Sequence, residues 1–234
     1  WVLTAERKDG TFRTVLLMWL ALAAGILIKG PIAPIILLTT IGSVIIAQRA
    51  EKNWKNILGR LRPILVGAVA AIVVAPWLVG IGIATEGRFF TEAIGGDMMG
   101  KVAEGQETHA APPGAHLLMF WLMFWPASLF ILAAGRHAGE RWREGPYFFC
   151  FAWLVPTWIL FELSLTKLPH YTMPLYPAIA LLCGQLIANV GEDKYPALRR
   201  SGAIIFSLIG TAAVLVALYF ASLFSSAGLV IWHY

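Results

Sequence analysis

Charge is scarce in this chain: only 13% of its 234 residues are Asp, Glu, Lys or Arg, against 59% hydrophobic residues. A soluble fold of that composition would leave far more apolar surface in water than it could cover, so the natural solvent is a bilayer. Cysteine is equally sparse. Cys150 and Cys183 each sit inside an apolar run, which excludes a disulfide scaffold or a cysteine metal site and leaves them as packing residues. No internal repeat is visible, which argues against a transporter-style inverted repeat. A charged leader segment ahead of the first apolar run is missing too, and the chain opens on Trp1, so it is expected to be an internal piece of a longer protein.

What is present in abundance is apolar sequence in span-length blocks. A helix needs about 20 apolar residues to cross the hydrocarbon core, and seven candidate spans answer to that length: 12–28, 31–48, 63–84, 115–134, 146–164, 172–190 and 202–223. The expected fold class is all-α, a polytopic transmembrane helix bundle of about seven spans, read as one membrane domain over 1–234. Pro31, Pro63, Pro146 and Pro174 fall near first turns, where a missing N–H costs nothing. Pro76, Pro126 and Pro156 lie deeper and predict kinks.

The net charge of +5 does not point to nucleic acid, because the basic residues cluster between spans and not along one polar face. Fourteen of the 18 Lys and Arg residues fall in the N-terminal tail, 49–62, 135–145 and 191–201. By the positive-inside rule those connections are cytoplasmic. The other four, Lys29, Arg88, Lys101 and Lys167, all map to the opposite side. The outer face therefore consists of the Lys29-Gly30-Pro31 turn, a loop over 85–114 and a turn over 164–171, and chemistry is expected there.

The outer loop carries Glu86, Glu92, Asp97, Glu104, Glu107 and His109. Phe89-Phe90, Glu92 and Ile94 suit an amphipathic interfacial helix ended by Gly95-Gly96. Glu92, Asp97 and His109 are ligand types for a divalent metal ion, the one candidate cofactor, although no metal motif fixes their spacing and a solvated connector is the plainer reading. His116, at the start of a span, is read as an interfacial side chain. Lys29 either snorkels to the head groups or binds a lipid phosphate. In the string FELSLTKLPHYTMPLYPA, Glu162, Lys167, His170 and Tyr171 meet at one membrane boundary. Glu162 either pairs with Lys167 or Lys29 to lower its desolvation cost or acts directly.

The ordered set of Lys29-Gly30-Pro31, Phe89-Phe90, Ala111-Pro112-Pro113 and Thr166-Lys167-Leu168-Pro169-His170-Tyr171, with Pro174 and Pro177 following, resembles the bacterial GT-C glycosyltransferases. The nearest group is the dolichyl-phosphate-mannose protein mannosyltransferase-like family that includes the lipid A aminoarabinose transferase. The resemblance runs from about residue 12 to 190 and implies the C-terminal portion of a GT-C-like membrane domain. It further implies sugar transfer from a polyprenyl-phosphate-linked donor to a lipid, protein or glycan acceptor on the outer face of a bacterial inner membrane. Lys29, Lys101 and Lys167 then become candidates for phosphate contacts, His170 and Tyr171 for donor positioning, and Glu92 and Asp97 for acceptor contacts. His109 is the candidate metal ligand. The family's essential aspartate lies in a first outer loop that is expected upstream of Trp1. One departure concerns the metal: the family's histidine after the aromatic pair and glutamate is replaced by Glu92-Ala93-Ile94-Gly95-Gly96-Asp97, so Asp97 or His109 would take its part. Rival expectations are a transporter or flippase of lipid-linked material, which needs polar groups at mid-membrane depth, and a non-catalytic membrane scaffold.

Overall fold

The computed structural model describes residues 12–48, 54–92, 111–164, 167–189 and 194–231. Ten α-helices follow one another among them: α1 (Phe12–Lys29), α2 (Ile32–Gln48), α3 (Trp54–Leu61), α4 (Pro63–Ala84), α5 (Arg88–Phe90), α6 (Ala115–Met123), α7 (Ile131–Glu140), α8 (Gly145–Leu163), α9 (Tyr176–Asn189) and α10 (Pro196–Ile231). Short 3₁₀ turns precede α7 (Ala127–Phe130) and α9 (Pro169–Leu175). Five stretches are long and apolar enough to cross a membrane, α2 is a shorter apolar helix, and α6 with the Ala127–Glu140 segment forms a sharply bent pair. Five helices, or six with the bent pair taken as one span, thus meet the length of a crossing among the described residues, against about seven expected, and the difference is the shorter α2. Their outward faces are apolar, with Ile28 at 80% and Ile64 at 90% exposure, as lipid-facing residues must be. The protein is a multi-pass membrane protein.

The chain forms two compact units. The first comprises residues 1–116 and 141–179. Within it α1 packs against α2 and α4, and α2 against α8. Close approach needs small residues, since lipid offers no hydrophobic drive between helices. A Cβ on Gly25 of α1 would lie 2.6 Å from that of Ala33 on α2. Polar groups fasten the same helices. Trp19 Nε1 donates to the Leu61 carbonyl at 3.0 Å, and the Thr39 and Thr157 hydroxyls meet at 2.7 Å across α2 and α8.

The second unit comprises residues 117–140 and 180–234, in which α7 and its leading 3₁₀ turn pack on α10. Gly202 is required there, because a Cβ would come within 2.2 Å of the Leu129 carbonyl oxygen. Trp125 stacks on Phe206 with ring centroids 5.4 Å apart.

Two elements depart from the reading of the sequence. The kink expected at Pro126 is a full break: the span over 115–134 parts between Met123 and Ala127, and its halves diverge by 113°. Pro126 has no N–H for the Leu122 carbonyl, which accepts from Trp125 instead at 3.2 Å. Pro76 and Pro156, by contrast, stay within single helices. The helix expected from residue 172 starts only at Tyr176, because Pro169 and Pro174 favour the tighter 3₁₀ turn ahead of it.

Candidate functional site

The first unit gathers buried polar groups where α8 ends. Glu162 lies one residue before the end of the helix, and its carboxylate accepts from two donors, one just before α6 and one in its first turn. The Gly114 backbone N–H approaches Oε1 at 2.5 Å, and His116 Nδ1 lies 3.2 Å from Oε2. Gly114 sits at φ +94°, a conformation that aims its N–H without a side-chain clash. His116 is fully buried, and its other nitrogen, Nε2, lies 3.2 Å from the Leu168 carbonyl. That same carbonyl accepts the Tyr171 N–H at 3.0 Å, closing the first turn of the 3₁₀ segment. The imidazole thus bridges Glu162 and the turn that presents Tyr171.

Lys167 is only 4% exposed. Its ammonium donates to the Ala111 carbonyl at 3.0 Å and the Ser164 carbonyl at 2.6 Å. Among the described residues it has no carboxylate within ion-pair distance. Carbonyl dipoles satisfy two of its three N–H donors, and among the described residues no carboxylate balances its charge, an arrangement that favours an anion. Tyr171 packs between Phe161 and His116, each with ring centroids 6.4 Å away, and stands edge-on to His170 at 5.2 Å. His170 is exposed, and Lys29, at the exposed end of α1, lies near enough to act on it electrostatically.

Of the expected site residues, Lys29, Lys167, His170 and Tyr171 therefore converge on one end of this unit. Glu92 is exposed just after α5, which begins the expected interfacial helix at Arg88. Asp97, Lys101 and His109 lie outside the described residues. No three His, Cys, Asp or Glu side chains gather into a metal site among those that are described.

Two site residues were misjudged from sequence. His116 is no interfacial side chain but a buried bridge, and Glu162 pairs with it, not with Lys167 or Lys29. The available signal was depth: both lie within two residues of the end of a span, and a carboxylate there needs a donor at its own level.

No family model matches the chain. Curated relatives do: undecaprenyl phosphate-alpha-4-amino-4-deoxy-L-arabinose arabinosyl transferases are 29% identical in Edwardsiella ictaluri (92% of this chain, 38% of the relative). The corresponding protein of Yersinia enterocolitica is also 29% identical (91% and 38%), and that of Pseudomonas aeruginosa 28% (85% and 36%). The crystal structure of ArnT from Cupriavidus metallidurans bound to undecaprenyl phosphate superposes with a TM-score of 0.56 at 17% identity, covering 92% of this chain and 37% of that one. In sequence and fold the chain is aminoarabinose-transferase-like. It spans a little over a third of the length of these transferases. The chain shares the membrane-helix fold of the Cupriavidus protein, and the clustered end of its first unit lies within the region of similarity.

Proposed function

We propose that the chain forms part of an integral-membrane glycosyltransferase, the part that grips the phosphate of a polyprenyl-phosphate-linked sugar at the outer face of a bacterial inner membrane. The observation that carries this reading is Lys167, a buried ammonium held by two carbonyls and by no carboxylate among the described residues. The names of the relatives, transferases that use an undecaprenyl phosphate-linked aminosugar, support the same donor class.

The chemistry follows from bond exchange at the anomeric carbon. An acceptor hydroxyl attacks that carbon, its proton passes to a carboxylate base, and the bond to the carrier phosphate breaks with its electron pair leaving on the phosphate oxygen. Negative charge accumulates on the phosphate, where preorganised cations lower the barrier. Lys167 supplies such a cation within the buried cluster, Lys29 adds a second at the surface, and Tyr171 and His170 border the space between them. Glu162 is unsuited to act as the base, because Gly114 and His116 already engage both its oxygens. The essential carboxylate is assigned to the first outer loop of the whole enzyme, by the family resemblance. The acceptor is a lipid, a protein or a glycan.

The test uses the whole protein in proteoliposomes with a polyprenyl-phosphate-linked aminosugar donor. Lys167→Gln is expected to lose turnover by about 100-fold, the scale of one oxyanion-stabilising group, while Lys167→Arg retains part of it. Full turnover in Lys167→Gln, or donor movement across the bilayer without sugar transfer, would refute the reading.

A further inference from the structure

The donor count around His116 leads beyond Lys167 itself. Both ring nitrogens face acceptors: the Glu162 carboxylate at one edge and the Leu168 carbonyl at the other. The Glu162 carboxylate is thereby taken up by His116 and Gly114, and among the described residues the Lys167 ammonium has no carboxylate of its own. Without His116, the Glu162 carboxylate would be free to turn to the Lys167 ammonium held by Ser164 at the same helix end, and the anion site would cancel itself.

We propose that His116 and Glu162 are a positioning pair for the donor phosphate: His116 keeps the Glu162 carboxylate away from Lys167, and both anchor the turn that carries Tyr171. Neither touches the donor. Glu162 holds Gly114 and His116, and His116 holds Leu168, whose carbonyl also accepts the Tyr171 N–H. The segment before α6, the end of α8 and the Pro169–Leu175 turn are thereby locked to one another. The inference rests on the transferase reading for the identity of the anion.

Its test is a charge cycle, with the whole protein in nanodiscs and two probes, undecaprenyl phosphate and the neutral polyprenol of the same length. Wild type should prefer the phosphate. His116→Gln should weaken phosphate binding by about tenfold, the scale of an uncompensated charge in a poorly screened site, and leave polyprenol binding unmoved. The double variant His116→Gln/Glu162→Gln, which again leaves Lys167 unmatched, should recover most of that loss. Glu162→Gln alone should bind the phosphate several-fold tighter, and it reports on the proposal even where His116→Gln does not fold. A double variant no better than His116→Gln, or weaker phosphate binding by Glu162→Gln, would overturn the pair's role. Wild type with no preference for the phosphate over polyprenol would instead refute the transferase reading itself.

Discussion

Two glutamates, one in each unit, show how differently one residue type is used in this protein. Glu162 is 19% exposed at the end of α8, with both oxygens engaged by groups from another segment of its unit. Glu140 is 36% exposed at the end of α7, where it takes Arg136 Nε at 2.9 Å, the Tyr195 hydroxyl at 2.5 Å and Lys194 at 3.7 Å. More donors surround the second, yet it matters less. Water screens exposed pairs until each is worth at most about 1 kcal/mol, whereas taking one partner from a buried pair costs about 3–5 kcal/mol because a charge is left stranded. Burial, not the number of contacts, separates the two carboxylates.

The largest effect that would break this contrast concerns Lys167. Its replacement by Gln should abolish nearly all sugar transfer yet leave the fold standing, since an amide can still donate to the Ala111 and Ser164 carbonyls. Parallel measurements of transfer and of thermal unfolding in detergent check it: equal losses in both would reduce Lys167 to a structural role. Next comes His116→Ala, which strips one donor from Glu162 and one from Leu168. It should lower stability by about 3 kcal/mol, readable as a fall in Tm. A change no larger than that of a surface substitution would mean that the bridge carries no strain when cut.

How far such a site can be read from sequence is set by what each residue depends on. The spans depend on hydropathy summed over a whole helix, so α4 begins and ends where the sequence predicts, at Pro63 and Ala84. Lys29, Lys167, His170 and Tyr171 could be grouped from the sequence because each stands at a span boundary. The break at Pro126 was not legible as a break, because Pro76 and Pro156 look alike in sequence and are absorbed within helices. What separates them is the local hydrogen bonding: the Leu122 carbonyl finds the Trp125 N–H as a replacement partner. The pairing of Glu162 with His116 was hidden for a related reason. The two are 46 residues apart, and only the packed arrangement of the first unit shows that the histidine, and not a lysine, stands at the carboxylate.

Smaller effects sharpen the comparison from within the spans. Thr157→Val on α8 removes the hydroxyl that meets Thr39, and the replacement nearly matches it in volume. Such interhelical bonds in bilayers average about 0.6 kcal/mol, so a fall in Tm of a degree or two is expected, with sugar transfer intact. A large loss of transfer would show that α2 and α8 communicate with the cluster at the end of α8.

Glu140→Gln is the weakest and the most diagnostic of the set. The substitution keeps an acceptor for Tyr195 and Arg136 and removes only the charge, at a site where water competes for every partner. The expected change in stability is small and shrinks further as salt is raised because exposed pairs are screened, with sugar transfer unaltered. Thermal unfolding at low and high ionic strength reads it directly. A stability loss that persists at high salt would mean that Glu140 is shielded from solvent in the membrane-bound protein. Its cluster with Lys194 and Tyr195 would then have to be ranked beside Glu162.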